Sequence, residues 1–246
     1  MKRLLVLATL ALVVGLPAIA EDDVLTADEI LERVNATWQG DSFHGVLALD
    51  VVLGGQTKSH KLEVWTLGED YALVRVLEPE VDVNSGYLQA GDTLWYRSPG
   101  AAPIKLPAVA LGDALFGAGP SLEDLSHGTL SDDYDVHLDT RSETGFFLTL
   151  VPHADAPVVY GKLEIWVSDV FVIEQLIYYD QRGAVLQIAT FTDVIDVGGR
   201  LLASTILIED AFGDRTVERI ELAQFDVPLE PEFFHLDTFD SWDDQG

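Results

Sequence analysis

The chain has 246 residues, 42 Asp+Glu against 14 Lys+Arg, and a formal net charge of -28 at pH 7, with 48% hydrophobic residues and no cysteine. That apolar share excludes intrinsic disorder, and the length suits one domain with a full core. The charge excludes unassisted binding to nucleic acid or to an anionic membrane surface, and the missing cysteines exclude disulfides, thiolate metal sites and thiol nucleophiles.

Lys2 and Arg3 precede an apolar run from Leu4 to Leu16, interrupted only by Thr9 and Gly15. Pro17 then breaks the run, and Ala18-Ile19-Ala20 forms a small-x-small exit before Glu21. This is the pattern of a cleaved signal peptide over residues 1–20, and the run is shorter than the ~20 apolar residues of a membrane span. Residues 21–246 are then a single exported domain, more acidic still once both basic residues are removed. The clusters Asp132-Asp133-x-Asp135 and Asp240-x-x-Asp243-Asp244 lack the Asp-x-Asp-x-Asp-Gly loop of calcium sites and read as solvated surface.

A helix comes next. Thr26 with Glu29 forms a capping box, Leu25 and Ile30 are placed as a hydrophobic staple, and Ala27, Ile30, Leu31, Val34 and Trp38 make one apolar stripe. From Phe43 the pattern switches to period two. Leu47, Leu49, Val51 and Leu53 alternate before a Gly54-Gly55 turn, and further strands are expected at 62–67, 71–77, 86–90 and 93–97. Pro99, Pro103 and Pro107 mark an extended loop, followed by two short helical segments at 108–116 and 120–125. The strand rhythm then returns at 136–138, 146–151, 162–167, 172–179, 185–191, 201–208 and 216–225, with turns at Gln181-Arg182-Gly183, Gly198-Gly199 and Gly213-Asp214. The expectation is a mainly β (α+β) fold: one large, curved antiparallel sheet of ten to eleven strands in meander order. The N-terminal helix and the short central helices would cover its concave face.

Such a sheet can leave an apolar hollow beneath its helices. Face parity groups Leu47, Leu49 and Val51, while Val64, Leu73, Leu94, Leu148, Ile165, Ile173 and Ile177 fit an inner face on the other strands. Leu111, Leu115 and Phe116 would line the hollow from the central helices. The same residues equally make a filled core, and periodicity does not separate the two.

Catalytic patterns are weak. Gly40-Asp41-Ser42 with His235 suggests a serine hydrolase, but the motif follows a helix and opens a strand, the reverse of the required context. The six histidines (His44, His60, His127, His137, His153, His235) show no metal-site spacing, and Gly54-Gly55-Gln56-Thr57-Lys58-Ser59 lacks the glycine a phosphate loop needs before its lysine. No catalytic residue, metal or cofactor is expected.

The ordered set of motifs resembles the LolA-like superfamily of outer-membrane lipoprotein-sorting proteins. The segments that carry the resemblance are Ala27-Asp-Glu-Ile-Leu-Glu-Arg-Val34, Gly86-Tyr-Leu-Gln-Ala-Gly-Asp-Thr-Leu-Trp-Tyr96 with Pro99, Leu122-Glu-Asp-Leu125 and Asp132-Asp-Tyr-Asp-Val-His-Leu138. They continue with Tyr160-Gly-Lys-Leu-Glu-Ile-Trp-Val167, Tyr178-Tyr-Asp-Gln-Arg-Gly183, Val197-Gly-Gly-Arg200 and Arg215-Thr-Val217. The chain departs from the pattern at Gly117-Ala-Gly-Pro120, and no residue matches the family's lid-locking arginine. The resemblance implies a half-barrel sheet closed by a helical lid. It also implies a non-enzymatic periplasmic carrier that binds acyl chains of lipoproteins or lipids for transfer toward the outer membrane, with an inner-membrane transporter or an outer-membrane acceptor as protein partners. The alternative is a binding module that senses lipoproteins or envelope stress and acts through a protein partner.

Overall fold

A computed structural model of the chain describes residues 25–38, 40–107, 110, 133–154, 156 and 158–243. The segment read as a signal peptide and, Ala110 excepted, the two segments expected to be central helices lie outside the described residues.

Helix α1 (Ala27–Trp38) begins at the expected capping box. The Thr26 amide donates to Glu29 Oε2 at 2.7 Å and the Glu29 amide donates to Thr26 Oγ1 at 3.2 Å, satisfying two of the N–H groups a helix start leaves open. The strands follow as β1 (Ser42–Leu53), β2 (Gln56–Leu67), β3 (Tyr71–Glu78), β4 (Gly86–Ala90), β5 (Thr93–Arg97) and β6 (Ile104–Leu106). The second series is β7 (Tyr134–Ser142), β8 (Gly145–Pro152), β9 (Lys162–Ser168), β10 (Ile173–Tyr179), β11 (Val185–Val197), β12 (Arg200–Asp210) and β13 (Arg215–Phe225), and helix α2 (Leu236–Asp243) comes last.

All thirteen strands join one sheet in the order β6-β5-β4-β3-β2-β1-β13-β12-β11-β10-β9-β8-β7. The expected total of ten to eleven falls short of the twelve strand segments read along the chain, all of which form, and β6 makes the thirteenth. Ile104–Leu106, read as loop because Pro103 and Pro107 flank it, forms a three-residue edge strand on β5, a position where missing N–H donors do no harm. The topology is two meanders. The first runs outward from β1 to the β6 edge. The second starts at the opposite edge, β7, and returns inward until β13 pairs with β1 at the centre, so the sheet keeps two edges and does not close.

α1 lies across the strands of the second meander. Arg141 of β7 donates to the Leu25 carbonyl at one end of the helix, and Arg200 of β12 donates to the Ala36 carbonyl at the other, 3.0 Å away. Five strand spacings occupy about 24 Å on a flat sheet, more than the ~18 Å length of twelve helical residues. The two arginine side chains span the difference, and since a large antiparallel sheet twists and coils, we take the face that carries α1 as its concave side. Ile30, Leu31 and Val34 pack there against Tyr134, Leu148, Leu150, Leu163, Ile165 and Leu176.

The opposite face of β2–β5 is covered by the C-terminal segment. Phe234, Phe239 and Trp242 pack on Leu73 and Leu88, with Trp65, Tyr71 and Trp95 around them. Gly86 sits directly under Trp242: a Cβ there would lie 2.9 Å from the indole and 2.1 Å from the Val74 carbonyl oxygen. Arg75 reaches over the same indole at 5.4 Å and donates to Asn84 Oδ1, while Asn84 donates to the Trp242 carbonyl. β3 is consequently buried on both faces, with Ala72, Leu73 and Val74 all inaccessible.

Candidate functional site: the concave face

Register traces one apolar row across eight strands. Leu138 faces Leu148, which faces Ile165; Ile165 faces Leu176, and Leu176 faces Ala189. Ala189 faces Ile208, Ile208 faces Thr216, and Thr216 faces Val51. A parallel row runs from Phe191 through Ile206 and Glu218 to Leu49. Trp38 of α1 meets Phe191 edge-on at 6.3 Å, so both rows lie on the concave side. Beyond β1 the face continues through Leu62, Val64, Val74, Val76 and Leu94, which form one buried cluster with Leu47, Leu49 and Val51. Among the described residues, Ala110 is the one side chain outside the strands that packs on this cluster.

Leu49, Val51, Val64, Leu94, Leu148, Ile165 and Ile173 thus share the concave face. Two expected inner-face residues do not. Antiparallel pairing sets Val64 opposite Val74, which turns Leu73 to the far side against Leu88 and the C-terminal aromatics. Burial on both faces removed the alternation that would have told the two sides of β3 apart. Ile177 is displaced for another reason. A register shift between Ile173 and Gln175 adds one residue, so Leu176 and Tyr178 face inward with Ile173, while Ile177 faces outward beside Glu164 and Ile188. Leu111, Leu115 and Phe116 lie outside the described residues.

The sequence reading missed the polar members of the face: His60, Thr66, Gln89, Thr216 and Glu218, each at least nine-tenths buried. Their signal was present, since Thr216 and Glu218 alternate with Val217 and Arg219, but polar residues on a strand default to the solvent side. Burial holds the His60 imidazole below its ordinary pKa, against the opposing pull of Asp82 and with a further push from Lys58.

The hydrolase pattern does not assemble. Ser42 is buried and its Oγ donates to the Val227 carbonyl at 2.6 Å, whereas His235 is exposed beside Asp237 at 3.4 Å. Among the described residues no group of three or more His, Cys, Asp or Glu is placed to hold a metal, and no helix is long and apolar enough to cross a membrane. A shallow depression of ≈ 260 Å³ lies at the β7–β8 edge, lined by Thr140, Ser142, Phe147, Trp166 and Glu174.

Three solved structures share this architecture. A LolA superfamily protein from Nitrosomonas europaea is 22% identical, with 87% of this chain and 100% of that chain covered and a TM-score of 0.71. A DUF1329 family protein from Desulfovibrio piger is 16% identical, with 86% and 96% covered and a TM-score of 0.73. A domain named for outer-membrane lipoprotein sorting, from Vibrio parahaemolyticus, is 17% identical, with 86% and 97% covered and a TM-score of 0.71. At these identities the likeness establishes the fold. A search of curated proteins finds no match. A family model described as "-like: Uncharacterized protein" matches residues 68–241; the chain belongs to that family, and its fold is that of the LolA superfamily.

Proposed function

We propose that the protein is a non-enzymatic periplasmic carrier that binds acyl chains of lipoproteins or lipids on its concave face and passes them toward the outer membrane. The observation that carries this reading is the division of that face. α1 packs on the β7–β12 half, whereas Leu47, Leu49, Val51, Val64, Val74 and Leu94 of β1–β5 form a second, separate apolar cluster that contains no α1 residue. We place the acyl chain there. Each methylene removed from water contributes ~0.8 kcal/mol, so a partly inserted chain binds firmly without any polar contact. Because these side chains are almost fully buried, loading requires the face to open, a motion of the kind that gates many binding sites. A protein partner, an inner-membrane transporter or an outer-membrane acceptor, would supply or receive the cargo.

Native mass spectrometry of the purified chain, before and after delipidation, tests the proposal. The expected result is co-purified lipid and rebinding of one acyl chain equivalent, weakened at least about tenfold by Val64→Trp, which fills the face. A protein that carries no lipid and rebinds none ends the carrier reading. Stable co-purification with a membrane-anchored protein, without lipid, favours a sensing module instead.

A further inference from the structure

A side-chain amide sits in the apolar wall of the β1–β5 half. Gln89 of β4 is 7% exposed, and register places it between Ala72 of β3 and Leu94 of β5, both members of the buried cluster on the concave face. Its Nε2 donates to the Glu69 carbonyl at 3.1 Å. That bond fixes which way the amide points, since a reversed side chain would set two oxygens against each other. Oε1 is buried and accepts no hydrogen bond. An acceptor buried without a donor bears the whole cost of its lost hydration, whereas leucine or methionine would complete the row Thr66–Ala72–x–Leu94–Leu106 without that cost. Gln89 also stands where the apolar face meets a polar rim. The turns at 68–70 and 91–92 lie beside it, joined by the Gly91 amide donating to the Asp70 carbonyl at 2.8 Å, and Glu69, Asp70 and Asp92 are exposed.

We propose that Gln89 Oε1 accepts a hydrogen bond from the N–H of an amide-linked acyl chain, so that the concave face selects secondary N-acyl amides over acyl esters. The inference rests on the carrier reading and names its substrate class. A chain laid over Val64 and Val74 with its polar end at the rim brings the linking group beside Ala72, the smallest side chain of the row, and so beside Gln89. A secondary amide supplies the missing donor there. An ester puts a bare oxygen at the same place, which leaves Oε1 unpaired and sets a second acceptor against it. A site built to pair one N–H rejects the analogue that lacks it far more strongly than an apolar pocket rejects a missing methylene.

The test uses calorimetric titration of the delipidated full chain with three ligands of identical chain length: N-methyltetradecanamide, N,N-dimethyltetradecanamide and methyl tetradecanoate. The first carries an N–H, the second keeps the amide carbonyl without it, and the third is the ester. The wild-type chain is expected to bind the first about tenfold more tightly than either of the others. Gln89→Met keeps the length of the side chain and removes the acceptor, so affinity for the secondary amide should fall by about tenfold while the other two hold. Thermal melting checks that the variant folds. Isotope-labelled N-methyltetradecanamide gives a reading that needs no variant: bound to the wild-type chain, its N–H proton should show a nuclear Overhauser contact to the Gln89 side chain. Equal binding of the three ligands, a preference that survives in Gln89→Met, or absence of that contact overturns the role of Gln89 and leaves the carrier standing. Failure of the wild-type chain to bind any of the three sinks both.

Discussion

Glu164 accepts hydrogen bonds from Lys162 Nζ and from the Tyr179 hydroxyl, both at 2.6 Å, on the outer face of β9 and β10, and the Lys162 ammonium lies 4.0 Å from the Tyr179 ring centre. The bond to Glu164 holds the phenol in its neutral form, and partial burial adds to it, pushing the Tyr179 pKa up to about 12. Burial alone would raise the Glu164 carboxyl, but the bonds from Lys162 and Tyr179 keep it below the usual range. For a raised pKa the sign is fixed. The contribution to stability is complete below the unfolded tyrosine value of ~10 and is lost as pH rises through the folded value. Ultraviolet titration should therefore show one tyrosine ionising near pH 12, and Glu164→Gln should bring it back toward ~10. An unchanged titration in that variant would show that the bond is not what shifts the phenol.

At the scale of elements, α1 and α2 hold the sheet from opposite sides and fail differently when weakened. α1 depends on its cap and on its apolar stripe. Thr26→Ala should cost about 1 kcal/mol by leaving helix N–H groups unsatisfied, and Leu31→Ala about 2–5 kcal/mol by opening a void against β8 and β9. α2 is held by aromatic packing, so Trp242→Ala should cost about 3–5 kcal/mol in urea unfolding. A loss below 1 kcal/mol would mean that the C-terminal segment adds little to the fold. α1 was legible in the sequence down to its capping box, because capping and periodicity act within one turn. α2 was not. Leu236, Phe239 and Trp242 span too short a segment for a helical period to stand out, and its partners Leu73 and Leu88 are more than a hundred residues away. The inward turn of Leu176 and Tyr178 was equally hidden, since the register shift that produces it is set by pairing with β9, not by the order of residues in β10.

The whole molecule is governed electrostatically by self-repulsion from a net charge of -28. Several carboxylates are individually well placed: Asp50 is held low by Ser59 and then by Arg219, and Asp180 by the Ala184 and Arg182 amides. These contacts are local, while the surplus charge acts over a Debye length of ~30 Å at 0.01 M salt and ~3 Å at 1 M. Adding sodium chloride over that range should raise the melting temperature. Acidification from pH 7 should at first raise it too, as repulsion falls toward the sequence pI ≈ 4.2. It should then lower it as pH drops through the depressed values of Asp50 and Asp180, whose stabilisation is present only above them. A melting temperature indifferent to salt would show that the surface charges are already compensated by their neighbours.

By itself the sequence determined the class of fold, the capped first helix, nearly every strand and the apolar character of a long inner face, because each depends on contacts within one turn, one hairpin or one alternation. Only the tertiary structure decided that β1 and β13 close the centre of the sheet, that β3 is covered on both sides, that Leu73 and Ile177 face away from the hollow, and that Glu218 faces into it. Those outcomes depend on which strand lies beside which and in what register, and pairing between residues up to about 180 positions apart leaves no periodic trace along the chain.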